Sequence, residues 1–225
     1  LTVIAMAKKK NMKVMLVPEG IGPLERKGNI KKTKKILDKV DLITLRDERS
    51  YKTLHEIGIE NKNVKVTADP ALDLDIADEK LGKAILKNEG VPSDKKLLGV
   101  SVRKWQNLGS DFETQIANAC DYAYEKYGYY TVFLPMQSSR DTAIMQNIKR
   151  KMKHESAIIK KRYSVEGMLS IIKCFDMCIG MRLHTLIYAA INSVPLIGLV
   201  YDPKINSFME YTPVSYTHLT LPTKA

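Results

Sequence analysis

From Lys13 onward, short runs of β-branched and other apolar residues alternate with longer stretches whose apolar positions recur at helical spacing. This rhythm predicts repeated βα units around parallel sheets. Strands are expected at residues 13–18, 42–45, 64–68, 97–102, 130–134, 157–159, 177–179 and 196–199. Helices are expected at 1–10, 30–39, 48–57, 77–88, 111–127, 140–152, 165–173 and 185–191, those after the first bounded by Gly, Pro, Ser or Asp. The run Asn88-Glu89-Gly90-Val91-Pro92-Ser93-Asp94 breaks the series, and a new strand follows it. The expected fold class is therefore α/β, with two Rossmann-like doubly wound domains. Residues 1–89 form a partial amino-terminal domain with three strands, and residues 95–211 a carboxyl-terminal domain with five. Two such domains are expected to meet across a cleft at the carboxyl ends of their strands, where open α/β sheets bind ligands.

The ends of the chain depart from this rhythm. It opens with Leu1 inside a helical stretch, and residues 214–225 continue no helical or strand period. That tail is read as non-native and left out of the fold, so His218 carries no functional weight. The expectation is an internal fragment whose amino-terminal domain is truncated.

Composition narrows the function classes. The chain has 225 residues, 44% of them hydrophobic, the profile of an ordinary globular protein. Cys120, Cys174 and Cys178 lie in apolar stretches without a CxxC pair or a nearby His set. They are read as core thiols in a reducing compartment, and no metal site is expected. No apolar run reaches the ~18 residues of a membrane span, and no signal peptide is evident, so a cytoplasmic protein is expected. The formal charge of +11 concentrates at residues 8–13, 26–39 and 149–162, where basic and apolar positions interleave as on solvated helix faces. With one Trp and no basic stripe carrying stacking aromatics, nucleic acid is not an expected partner. A peripheral contact with anionic lipid at the inner face of the membrane remains open.

Candidate chemistry sits at strand exits. Gly20 and Gly22, in Glu19-Gly20-Ile21-Gly22-Pro23-Leu24, either form a tight turn or let backbone amides approach a ligand. In Thr44-Leu45-Arg46-Asp47, Asp47 is expected to cap the next helix, and Arg46 to bind that acid or an anion. Pro70 holds Asp69 extended, as a buried turn aspartate or a substrate contact. Arg103 follows the first strand of the second series, where its planar fork suits a carboxylate or phosphate, or an ion pair between domains. Gln137 follows another strand exit, Leu134-Pro135-Met136. The sharpest feature is Gly180-Met181-Arg182-Leu183-His184, a strand-to-helix turn in which Arg182, His184 and free amides together make an anion site. His184 can also deliver a proton near neutral pH.

Taken in order, GIGPL, TLRDERS, ADPALDL, SVRKW, FLPMQ, GMRLHTLIYAA and PLIGLVYDPKINSF resemble the polysaccharide pyruvyl transferase family over about residues 12–211. The resemblance is nearest the bacterial type that places pyruvate ketals on cell-wall polymer for S-layer anchoring. It implies a GT-B-like fold, phosphoenolpyruvate as donor with no further cofactor, and a hexosamine of a lipid-linked or polymeric saccharide as acceptor. It also implies that Arg103, Arg182, Leu183 and His184 hold the donor, with His184 as proton donor or phosphate ligand. The glycine-rich GNxGDE-type segment usual in that family is absent and is expected upstream of Leu1. The competing expectations are a GT-B nucleotide-sugar glycosyltransferase or epimerase, and a non-catalytic basic protein.

Overall fold

The computed structural model describes residues 1–22, 24, 26–105, 109–212 and 219–220, which fall into two compact units, Leu1–Asp73 and Leu74–Ala225. Pro23 and most of the tail lie outside the described residues. Among the described residues no helix is long and apolar enough to cross a membrane.

The first unit runs α1 (Thr2–Lys9), β1 (Met15–Glu19), α2 (Lys27–Leu37), β2 (Leu42–Leu45), α3 (Glu48–Glu56) and β3 (Val64–Val66), followed by a short 3-10 turn at Pro70–Asp73. Its sheet is parallel, in the order β1-β2-β3. The central strand, Leu-Ile-Thr-Leu, is apolar but for one threonine because β1 and β3 pair along its edges and helices pack on its side chains. Ile43 and Leu45 are completely buried, with Leu37, Val40 and Leu54 around them. The buried Thr44 hydroxyl is satisfied by donating to Leu16 O at 2.6 Å. Asp41 ties α1 to the sheet: it accepts from Lys8 Nζ and from Val14 N, each at 2.7 Å.

The second unit begins with α4 (Glu79–Asn88) and continues β4 (Lys96–Ser101), α5 (Phe112–Tyr127), β5 (Tyr129–Phe133), α6 (Ser138–Lys151), β6 (Ser156–Ile158), α7 (Val165–Lys173), β7 (Met177–Gly180), α8 (Leu183–Ile191), β8 (Leu196–Val200) and α9 (Pro203–Tyr211). A two-residue β9 (Leu219–Thr220) pairs with β8. All strands are parallel, in the order β6-β5-β4-β7-β8-β9. Counted from β4, this is the 3-2-1-4-5-6 order of a doubly wound sheet. The order reverses between β4 and β7, and the connections leave the sheet on opposite faces there. The core lies beneath that point: Val100, Val102, Phe133, Met145, Ile148 and Met181 have no exposed surface.

Two expectations change. The units divide at Asp73/Leu74, not at residues 88–94, because α4 packs on α7. A Cβ at Gly82 would collide with Ser170 O, so the glycine brings the two helix backbones together. Second, α9 was not foreseen. Asp202 caps it by accepting from Lys204 N at 2.9 Å, and Pro203 stands at its first position. Within the tail, where no strand was expected, Leu199 and Val200 pair with Leu219 and Thr220, and the rest lies outside the described residues.

Candidate functional site

In the second unit, β4, β7 and β8 are neighbours, so their exits carry Arg103, Arg182 and Tyr201 to one edge of the sheet. Beside the reversal point lies a cavity of about 510 Å³ lined by Arg103, Lys104, Trp105, Arg140, Asp141 and Arg182. Its size is that of small-molecule sites. Four of the six lining side chains are cations, and the only acid is already engaged.

That acid is Asp141, on the first turn of α6 and fully buried. It accepts from Arg182 Nε at 3.2 Å, and its second oxygen pairs with Arg182 Nη2. Asp141 also accepts from Gln137 N at 2.9 Å, closing the amino terminus of α6, while Gln137 Oε1 lies 3.4 Å from Arg182 Nη2. Arg182 is thus held by two hydrogen bonds to a buried carboxylate, and its charge is largely cancelled. It is also the N-cap residue of α8, a helix with no side-chain cap. By contrast, α3, α4, α7 and α9 are closed by Asp47, Asp78, Ser164 and Asp202. Thr185 N donates to Arg182 O at 3.0 Å, and the amides of Leu183 and His184 ahead of it keep their donor capacity for an anion. Leu183 and His184 occupy that first turn; His184 is exposed, with its ring 6.1 Å from that of Tyr188, and does not line the cavity.

Arg103 is held differently. Its guanidinium carbon lies 5.2 Å from the centre of the Trp105 ring and 6.0 Å from that of Tyr201, and Nη1 donates to Tyr201 Oη at 3.4 Å. The two rings touch edge to face at 4.8 Å. Among the described residues no carboxylate pairs with Arg103, and its Nε is buried without a hydrogen-bond partner. Burial pushes the Tyr201 hydroxyl above its ordinary pKa, and the hydrogen bond from Arg103 works against that. Burial likewise pushes the thiols of Cys120 and Cys178 up to about 11 and about 12, so both are inert core groups, whereas Cys174 is only half-buried.

The remaining predicted residues assemble in the first unit. Arg46 donates from Nη1 to Asp69 Oδ2 at 3.1 Å and lies 3.6 Å from Asp47, with both partners of the first pair nearly buried. Asp47 caps α3 by accepting from Ser50 N at 2.7 Å, and Asp69 Oδ1 accepts from Ala71 N at 3.1 Å. Gly20 gives the guanidinium its room: a Cβ there would stand 2.6 Å from Arg46 Nη2. Gly22 adopts φ +106, a left-handed conformation suited to glycine. Thus Gly20, Arg46 and Asp69 form one closed cluster.

Sequence reasoning noted Arg140 and Asp141 only as residues after the generic Gln137 strand exit, and quoted Trp105 and Tyr201 without giving either a role. The signal for Tyr201 was Val200-Tyr201-Asp202-Pro203, which has the grammar of the other strand exits, an apolar strand followed by a capping acid. Overlooking α9 hid it.

A family model described as polysaccharide pyruvyl transferase matches residues 1–203. No curated protein matches the chain. Among solved structures the chain is similar to MnaA from S. aureus with UDP, at TM-score 0.66 and 14% identity, covering 92% of this chain and 57% of that one. The UDP-GlcNAc 2-epimerase from Methanocaldococcus jannaschii is similar at TM-score 0.64 and 14% identity, over 98% and 63%. Anabaena HepE in complex with UDP-glucose is similar at TM-score 0.65 and 9% identity, over 96% and 61%. The chain therefore spans about three fifths of the length of these structures. The likeness shows the fold: a mixed α/β chain with parallel sheets, of the kind found in GT-B-like glycosyltransferases and epimerases.

Proposed function

Because the chain belongs to the polysaccharide pyruvyl transferase family, we propose that the protein it represents transfers the enolpyruvyl unit of phosphoenolpyruvate onto a hexosamine of a cell-wall or lipid-linked saccharide, as a pyruvate ketal. The observation that carries this reading is Arg103, a half-buried arginine without a carboxylate partner among the described residues, facing a cavity with two further cations, Lys104 and Arg140. A donor with a carboxylate and a phosphate on one carbon needs such a concentration of positive charge.

The reaction divides into steps that these residues can serve. A proton adds to C3 of the enol, C2 bonds to one sugar hydroxyl oxygen, the bond from C2 to the phosphate oxygen breaks, and the second hydroxyl closes the ketal. Of the two hydroxyl protons, one balances the new methyl group and the other leaves with phosphate. Arg103 holds the donor's anionic groups, and the open amides at the start of α8 stabilise charge on the departing phosphate. His184, two residues beyond Arg182, is the candidate proton donor or phosphate ligand. Leu183 and Gln137 flank the donor, and Arg182 acts through the structure it braces.

Thermal unfolding with phosphoenolpyruvate and with UDP-sugars tests the donor. Phosphoenolpyruvate is expected to raise the melting temperature. Protection by UDP-sugars alone would replace this reading with the nucleotide-sugar one that the UDP-bound neighbours suggest.

A further inference from the structure

We propose that Trp105 and Tyr201 form an aromatic clamp that fixes the Arg103 guanidinium while leaving its full charge available to an anion in the cavity. This rests on the cavity as the donor site and deepens that reading by naming two positioning residues for the donor's anion ligand.

A flexible guanidinium must be immobilised before the anion arrives, or the ordering entropy is subtracted from binding. A carboxylate immobilises it well but cancels the charge, as Asp141 does for Arg182 in the same cavity. Aromatic faces attract the cation through their quadrupole without neutralising it. At Arg103 two touching rings do this side by side: Trp105 lies two residues along the chain, and Tyr201 comes from the far side of β7, 98 residues away. The rings brace each other edge to face.

The clamp is anchored in the fold. Tyr201 sits between the end of β8 and Asp202, the cap of α9, so both its backbone neighbours are held by regular structure. Arg103 and Trp105 follow β4, which is buried along all but its first residue. The Tyr201 hydroxyl accepts from Nη1, which orients the fork and leaves the remaining Nη donors for a ligand.

Trp105 is the chain's single tryptophan, so its fluorescence reports on this clamp alone. The full chain and its Tyr201→Phe, Tyr201→Leu and Trp105→Leu variants are to be titrated with inorganic phosphate and with phosphoenolpyruvate. Trp105 emission is the readout where the tryptophan remains, and calorimetry serves for all four proteins. In the unliganded protein, Tyr201→Leu is expected to shift emission to longer wavelength and to increase quenching by acrylamide, whereas Tyr201→Phe stays close to the parent. Phosphate affinity is expected to fall about tenfold in Tyr201→Leu, equivalent to about 1.4 kcal/mol, and less than about twofold in Tyr201→Phe. Should Tyr201→Leu fail to fold, Trp105→Leu carries the same expectation by calorimetry. The clamp is overturned if removing either ring leaves phosphate affinity unchanged, if the Phe variant loses as much as the Leu variant, or if the parent binds no phosphate. If phosphate binding depends on both rings but phosphoenolpyruvate binds no tighter than phosphate, the clamp stands and the assigned donor falls.

Discussion

An arginine leaves the carboxyl end of a strand in each unit, Arg46 after β2 and Arg103 after β4, and the two are held by opposite means. Arg46 lies against Gly20 between Asp69 and Asp47, its charge spent on closing three strand exits of the first sheet. Arg103 lies against a pair of touching rings, with no acid among the described residues to neutralise it. Position at a strand exit therefore does not make an arginine a ligand; its partner decides. Arg182 sharpens the point, because it shares the cavity with Arg103 and yet resembles Arg46 in being held by an acid.

The largest effect is expected where a buried acid is removed. Asp141→Ala strands a nearly enclosed Arg182 cation and the Gln137 amide, so stability should fall by about 3 kcal/mol in urea unfolding. The same variant loses the cavity's one negative charge, so the phosphate affinity of the folded protein should rise. A fall in both quantities would mean that Arg182 was not neutralised in the parent.

Methionine at each strand-exit arginine separates the spent cation from the available one most directly. Arg103→Met removes a cation without stranding an acid, so phosphate affinity should fall about 100-fold while stability stays nearly constant, on the basis of two lost charge-assisted hydrogen bonds. Arg46→Met leaves Asp69 nearly buried and without its cation, so it should cost about 2 kcal/mol of stability and leave phosphate affinity unchanged. Calorimetric titration beside urea unfolding separates the two. An equal loss of affinity in both variants would make the closed cluster of the first unit part of the binding machinery.

The same contrast explains which parts of the molecule could be read from sequence. Parallel strands buried on both faces are continuous apolar runs, so β2 was placed to the residue and β4 and β5 to within one residue at each end. Helix α7, closed by Ser164, was also placed to the residue. The domain boundary was not legible, because Asn88-Glu89-Gly90 looks like a linker and only the contact of Gly82 with Ser170 shows where α4 packs. At the sites, residue type and strand-exit position were visible, and Arg103, Arg182 and Gln137 do come to one edge of one sheet. Partnership was not visible. Asp141 is 41 residues from Arg182 and Tyr201 is 98 from Arg103, and no local pattern encodes which arginine meets an acid and which meets a ring.

The smallest effect sets the two units against each other in acid. Asp41 in the first unit is pulled down from 3.8 to about 2, first by its hydrogen bond from Lys8 and next by the Val14 amide. A carboxylate whose folded pKa lies below its unfolded value stabilises the fold above the unfolded pKa, and that stabilisation disappears as pH falls through the folded one. The first unit should therefore weaken between about pH 4 and about pH 2, and Asp41→Asn should flatten the change. The clamp in the second unit contains no carboxylate, so Trp105 emission should hold through the start of that window while far-ultraviolet circular dichroism already declines. If emission moves first, the cation beside the rings depends on an acid after all, with buried Asp141 the acid that lines the cavity. In that case the distinction between a spent arginine and an available one would have to be drawn within the single network of Arg103, Arg182 and Asp141.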